Sequence, residues 1–260
     1  MPFIALITDW SHNDYYLGAL KGYIYSIIPE VKIIEITNTI SNFSIYQAAF
    51  VLKSCFSNFA EETVFIICVK TVINRKNKYL CFKYQNKYIL TSDNGFFSIF
   101  TDAQPQAVYC FDEVHSTFPE KDVFAKYACK ILNNENFDDF AKKVDDYKID
   151  KNLHSIASNV SITGHIIYID NYGNAITNIT KEQFEKNRNN RKFKIYPGST
   201  EFPIEKISET YLEDDDNIYI ALFNSLGLLE IAVINSSVTQ LFNIEVKSNI
   251  RIEFYDTTSS

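Results

Sequence analysis

Residues 3–22 read FIALITDWSHNDYYLGALKG, and the first six, Phe3–Thr8, form an apolar run that breaks off at Asp9. A short run of this kind suits a strand buried on both faces. From Asp14 to Ile28 the apolar residues Leu17, Leu20, Ile24 and Ile28 recur at intervals of three and four, as on a helix with one buried face. Outward from this pair the pattern repeats. Residues 31–36, VKIIEI, read as a strand. Ser44–Phe56 reads as a helix with Ile45, Ala48, Ala49 and Leu52 on one side, and Val64–Val69 as another buried strand. Strand, helix, strand, helix, strand in succession predicts an α/β fold: a largely parallel sheet with flanking helices.

Tyr79–Tyr84 and Lys87–Thr91, joined by Gln85-Asn86, form a predicted hairpin, and Asp122–Leu132 a further helix. Residues 133–158 are polar and read as a domain connection. Beyond Val160 the pattern changes to short β-type runs at 160–169, 192–196, 217–223, 228–234 and 244–255, with one short helix near Lys181–Lys186. The organisation expected is an N-terminal α/β domain over 1–157 and a C-terminal all-β, barrel-like domain over 158–260.

Composition narrows the function. Lys plus Arg number 25 against 32 Asp plus Glu, a net charge of -7, which leaves no electrostatic footprint for nucleic acid. The basic stretch 186–194, KNRNNRKFK, reads as a solvated turn. The five cysteines include no CxxC pair and the four histidines lack metal-ligand spacing, so no metal site is expected. With no apolar run near the roughly 20 residues that cross a bilayer, and Asp9 too early for a signal peptide, no membrane association and a cytoplasmic setting are expected. Only seven glycines are present, and neither a P-loop nor GxGxxG can be built from them.

Three polar clusters remain. Thr8–Asp14, TDWSHND, follows a buried strand, where open α/β sheets bind ligands. Its two carboxylates could grip hydroxyls or an ammonium; Asp14 could equally be a helix N-cap. Residues 170–179, DNYGNAITNI, contain a turn at the end of a strand. Residues 224–233, NSLGLLEIAV, carry Glu230 inside an apolar run, and a buried carboxylate needs a partner.

Asp9–Gly22, Thr37–Ala49 (TNTISNFSIYQAA), Ser92–Gly95 (SDNG), Thr117–Ala125 (TFPEKDVFA), Asp170–Ile179 and Asn224–Val233 together, in this order, resemble the S-adenosyl-L-methionine (SAM) hydroxide adenosyltransferases, relatives of the fluorinating and chlorinating SAM enzymes. The resemblance runs from residue 3 to about residue 236. It implies homotrimers with SAM held between one subunit's N-terminal domain and its neighbour's C-terminal domain. By motif, Asp9 would bind the ribose hydroxyls, and Asp14 and Asp170 the ligand's ammonium. Phe43 would stack near the ribose and adenine, Tyr172 and Tyr211 would sandwich the base, Asn174 would read its edge, and Ser225 would bind the methionine carboxylate. SAM is then the substrate and no cofactor is required. Water or hydroxide would attack the ribose C5′, giving adenosine and L-methionine.

The sequence departs from the family where water is activated. Hydrolytic members use an Asp that begins D-P-G-V-G, an Arg, and a His within F-H-G-R-D. Here Lys70 stands in place of the Asp, Arg75 is the candidate for the Arg, and Pro119 occupies the His position. Glu120 or His115 are substitutes by proximity. Lys70 could serve as a base only if desolvation or a neighbouring cation lowered its pKa. The simpler reading makes Lys70 and Glu120 an exposed loop pair. The candidate catalytic set is therefore Arg75, Lys70 and Glu120. Leu226 stands where the halogenating relatives carry an Arg, which weighs against halide use. Two functions follow: a SAM hydrolase, or a catalytically impaired SAM- or adenosine-binding protein of the same fold.

Overall fold

The computed structural model describes residues 3–72, 78–111, 116–150, 154–198, 203–211 and 219–256, and the chain divides into two compact units, Met1–Asn152 and Leu153–Ser260. In the first, the order is β1 (Phe3–Thr8), α1 (Tyr16–Ile27), β2 (Lys32–Thr37), α2 (Ile45–Cys55), β3 (Val64–Cys68), β4 (Tyr79–Tyr84), β5 (Lys87–Ser92), α3 (Phe96–Phe100), β6 (Ala107–Phe111), α4 (Lys126–Leu132) and β7 (Ala141–Lys143).

Strand β1 has almost no exposed surface, and its side chains feed two cores. Ile4 and Leu6 pack with Leu20 and Ile24 of α1, whereas Ala5 and Ile7 pack with Ile45, Ala48 and Leu52 of α2. Each large aliphatic side chain so buried contributes about 1.5–3 kcal/mol. The sheet order is β2-β1-β3-β5-β4-β6-β7. The first four strands are parallel; β4, β6 and β7 extend the sheet through antiparallel pairs. The polar segment after α4 is more than a connection, because β7 closes the sheet edge by pairing with β6. Its sequence, AKK, hides this: the two lysines are exposed, and backbone pairing alone makes it a strand.

The second unit contains β8 (Ile156–Ala157), β9 (Ser161–Ile169), β10 (Ala175–Thr180), α5 (Lys181–Arg188), β11 (Lys192–Pro197), β12 (Ile207–Ser208), β13 (Tyr219–Phe223), β14 (Leu228–Val233), α6 (Val238–Phe242) and β15 (Asn249–Tyr255). Its sheet follows the order β11-β15-β9-β10-β14-β13-β12 and curls into a half-barrel. Leu229, Ile231 and Val233 of β14 point into the core with Ile162, Ile179 and Phe184. Glu230 and Ala232 therefore face the other way. The basic stretch folds back on this unit: the Arg191 guanidinium lies 5.5 Å from the Phe254 ring and donates to the Asn159 carbonyl at 2.6 Å. No helix among the described residues is long and apolar enough to cross a membrane.

One polar side chain fixes the end of β3. The Asn94 amide donates to the carbonyls of Val69 (3.2 Å) and Lys70 (3.3 Å), and its Oδ1 accepts the Phe96 N–H at 3.0 Å. Asn94 is buried, so its removal strands these groups away from water. Asn94→Ala should cost about 1–3 kcal/mol in a urea-unfolding measurement. A loss within experimental error would show that the clamp does not hold this corner.

Candidate functional site

The pairing of β1 with β3, Thr8 opposite Cys68, brings the residues after each strand side by side. Asp9 leaves β1 and Lys70 leaves β3, at the carboxyl ends where α/β sheets present ligands. Asp9 is half-buried, and its Oδ2 accepts the Phe43 N–H at 2.8 Å. Burial raises its pKa above the ordinary carboxylate value; the N–H groups of Phe43, of Asp9 itself and of Lys70 draw it partly back. Phe43 has φ +65° and 67% of its surface exposed. The cause is local. Ser44 caps α2 by accepting the Gln47 N–H, so the chain must turn sharply just before the helix, and the Phe43 ring is left facing solvent.

Glu120 does not behave as an exposed loop residue. It is buried, at the first position of a π-helical turn, Glu120–Ala125, that runs into α4. Such turns often mark functional sites. The turn is brought to the end of β1 by an aromatic clasp: Phe118 meets Trp10 edge-on at 5.7 Å and Tyr16 at 5.1 Å. Burial raises the Glu120 pKa, the Thr71 hydroxyl beside it lowers it in part, and the negative charge of Asp9 raises it further. The Thr71 oxygen itself is buried without a hydrogen bond of regular geometry. Lys70, in contrast, is exposed with φ +51°, so the burial a lysine base needs is missing. Pro119 is buried beside Glu120 and offers no proton-transfer group. Asp14 is exposed and is not a cap, since α1 starts after Tyr15 with no side-chain cap. Arg75 and His115 lie outside the described residues.

In the second unit, Asp170, Tyr172, Asn174 and Tyr211 line a single cleft of about 620 Å³, floored by Ile220 and Ala232. The Asp170 carboxylate organises its rim. It accepts the N–H groups of Tyr172 and Asn174, both at 2.9 Å, and one proton of the Asn174 amide at 3.0 Å. A carboxylate offers about four acceptor sites, so capacity for one more donor remains. The Asn174 amide keeps its second proton and its carbonyl oxygen. Tyr172 is 81% exposed, a ring standing free at the cleft mouth. Ser225 is exposed in the turn between β13 and β14. Among the described residues, no group of three or more His, Cys, Asp or Glu is arranged to hold a metal.

Comparison with known proteins gives the family of the chain. Residues 4–141 match the SAM hydroxide adenosyltransferase N-terminal domain and residues 164–251 match the C-terminal domain of the same name. The chain belongs to the SAM hydroxide adenosyltransferase family. It is 29% identical to the (R)-S-adenosyl-L-methionine hydrolase of Methanocaldococcus jannaschii, over 97% of this chain and 96% of that one. Two crystal structures share its fold. An uncharacterized conserved protein from Thermotoga maritima superposes with a TM-score of 0.86 at 23% identity, covering 97% of this chain and 99% of that one. A conserved hypothetical protein from Thermus thermophilus gives 0.77 at 18%, covering 98% and 100%. Within this SAM hydroxide adenosyltransferase homologue, the motif residues thus fall into two sets. Asp9, Asp14, Phe43, Lys70 and Glu120 belong to the first unit, and Asp170, Tyr172, Asn174, Tyr211 and Ser225 to the second.

Several contributors escaped the sequence reading. Trp10 and Phe118 form the aromatic clasp, but with 17 Tyr and 21 Phe in the chain no single ring stood out. Asn235 and Ser236 line the cleft beyond the last matched motif. The signal for them was Gly173. Its φ is +83°, and a Cβ there would fall 2.4 Å from the Ser237 hydroxyl and 2.9 Å from the Ser237 Cα. Gly173→Ala should therefore lower stability by about 1–3 kcal/mol, through left-handed strain and displacement of the 235–237 segment. Thermal unfolding of the purified variant tests this; an unchanged midpoint would mean that Ser237 yields freely.

Proposed function

We propose that this protein is a SAM hydrolase that forms adenosine and L-methionine, with Glu120 taking over the proton-transfer role. The observation that carries the reading is the cleft of the second unit. Tyr211, far along the chain from the 170–174 turn, shares one apolar-floored cavity with Asp170, Tyr172 and Asn174. Those are the residues that the family resemblance assigns to the adenine and the ammonium. An apolar floor beside two aromatic rings and a half-used amide suits a purine; a carboxylate with residual acceptor capacity suits an ammonium.

In the proposed reaction a water oxygen attacks C5′ of SAM while the C5′–S bond breaks. The electron pair of that bond neutralises the sulfonium, and methionine leaves as an uncharged thioether. The proton lost by the water passes to the Glu120 carboxylate. Because the leaving group is already activated, the protein mainly aligns and desolvates the nucleophile. Asp9 binds the ribose hydroxyls, Asp14 assists with the ammonium, and Ser225 receives the methionine carboxylate. Lys70 supplies positive charge near the reacting water without acting as a base; Arg75, the other candidate, lies outside the described residues. The two residue sets come from neighbouring subunits of a homotrimer in the cytoplasm. A specific observation favours a second reading, a SAM- or adenosine-binding protein without turnover: the position of the family's histidine is a buried proline.

Purified protein incubated with SAM, with adenosine followed by chromatography, separates these readings. Release above the uncatalysed control supports the hydrolase; binding without release supports the second reading. Asp9→Ala and Tyr172→Ala should each weaken SAM affinity by roughly 1–3 kcal/mol in calorimetry. Unchanged affinity in both would remove the site. Glu120→Gln should leave SAM binding intact and lower kcat by about 10²-fold or more.

The pH dependence follows from the same carboxyl. Only ionised Glu120 accepts a proton, and its pKa is raised above the ordinary 4.5, so kcat/KM should rise with pH along an acid limb lying above pH 4.5. That limb should vanish in Glu120→Gln. If the variant retained it, another group would be the base.

Subunit sharing has its own check. Asp9→Ala and Tyr172→Ala chains, unfolded and refolded together, should regain part of the activity that each lacks alone. No recovery in mixed oligomers would place both residues in one chain's site.

A further inference from the structure

Glu230 is 3% exposed and sits on the cleft-facing side of β14, between the apolar cross-strand neighbours Leu222 and Ile176. A carboxylate in such a strip is costly unless its oxygens find donors. They find two, from different loops. Oε1 accepts the Tyr211 hydroxyl at 2.6 Å, and Oε2 accepts the Asn224 amide at 3.1 Å. Tyr211 is a wall of the cleft. Asn224 opens the turn that carries Ser225, and its Oδ1 accepts the N–H groups of Leu226 (3.0 Å) and Leu228 (3.2 Å). One carboxylate thus ties the aromatic wall to the neighbouring turn.

We propose that Glu230 is a positioning residue that holds Tyr211 and the Asn224–Gly227 turn in register, so that the two ends of the ligand are recognised as a unit. This deepens the function proposed above and rests on it for the identity of the ligand. The donor pattern calls for an acceptor at 230. Asn224 cannot rotate its amide to offer an oxygen, because Oδ1 is already used by its own turn. A glutamine at 230 could still accept from Asn224 and donate to the Tyr211 oxygen, so it keeps both contacts, whereas a methionine has similar length and no strong acceptor and cuts the link. Burial and the hydrogen bond to Glu230 also push the Tyr211 phenol upward, so Tyr211 carries a spectroscopic signature of the link.

The test measures calorimetric affinities of the full-length protein for adenosine and for SAM in wild type, Tyr211→Phe, Glu230→Met and the double variant. Tyr211→Phe keeps the ring and should weaken adenosine about five- to tenfold through its freed orientation. Glu230→Met should weaken SAM more than adenosine, because the turn under the methionine end is released as well. The double variant should be no weaker than the worse single variant, since both changes cut one chain of contacts. Additive losses, or wild-type affinity in Glu230→Met, would overturn the proposal. Should wild type bind neither ligand, the functional reading fails, and the link is judged alone by the ring-carbon NMR resonance of Tyr211, assigned through Tyr211→Phe. A lowered Tyr211 titration in Glu230→Met supports the link, and an unchanged titration overturns it.

Discussion

A carboxylate withdrawn from water must be met by protons, and four such groups organise this molecule. Asp9 takes the Phe43 N–H, Asp170 takes three donors from its own turn, and Glu230 takes a phenol and an amide. Glu120 is the more buried member of the first unit's pair. Its partial support from Thr71 is outweighed by burial and by the charge of Asp9, so its pKa, like that of Asp9, is raised. Such a raised carboxyl beside a second carboxylate is the electrostatic feature on which the proposed proton-transfer role rests.

The scaffold explains why these groups meet. β1 feeds two separate cores through alternate side chains, so helices must cover both faces of the sheet. The polar residues after β1 are then left at the carboxyl end of the strand. β3 lies next to β1 and ends at the same edge, and Asn94 holds the departing chain there. In the second unit the same logic runs through a curled, largely antiparallel sheet. Alternation along β14 sends Leu229 and Ile231 to the core and turns Glu230 and Ala232 toward the cleft.

Lys70 and Pro119 stand where the family resemblance implies an Asp and a His, yet the segment around Pro119 is firmly packed. Phe118 is gripped by Trp10 and Tyr16, and Ser116 and Lys121 both bind the Asp122 carboxylate. The proline therefore sits in an ordered turn whose next residue, Glu120, faces inward. Glu120 thus follows the buried Pro119 and lies within electrostatic reach of Asp9.

The amino-acid sequence alone determined the β-α-β-α-β order of the first half, the β-rich second half, and the order of six motifs that mark the family. These follow from local periodicity and from short-range residue spacing, which survive without knowledge of contacts. It also marked Glu230 as a residue in need of a partner. What only the tertiary structure decided was who the partners are. Tyr211 and Asn224 reach Glu230 from separate loops, and Asp170 spends most of its capacity on its own turn. Short elements such as β7 and α3 exist only because a neighbour pairs with or covers them. The burial of Glu120 belongs to the same class: a Pro-Glu-Lys segment reads as solvated until aromatic packing at long range turns one side chain inward.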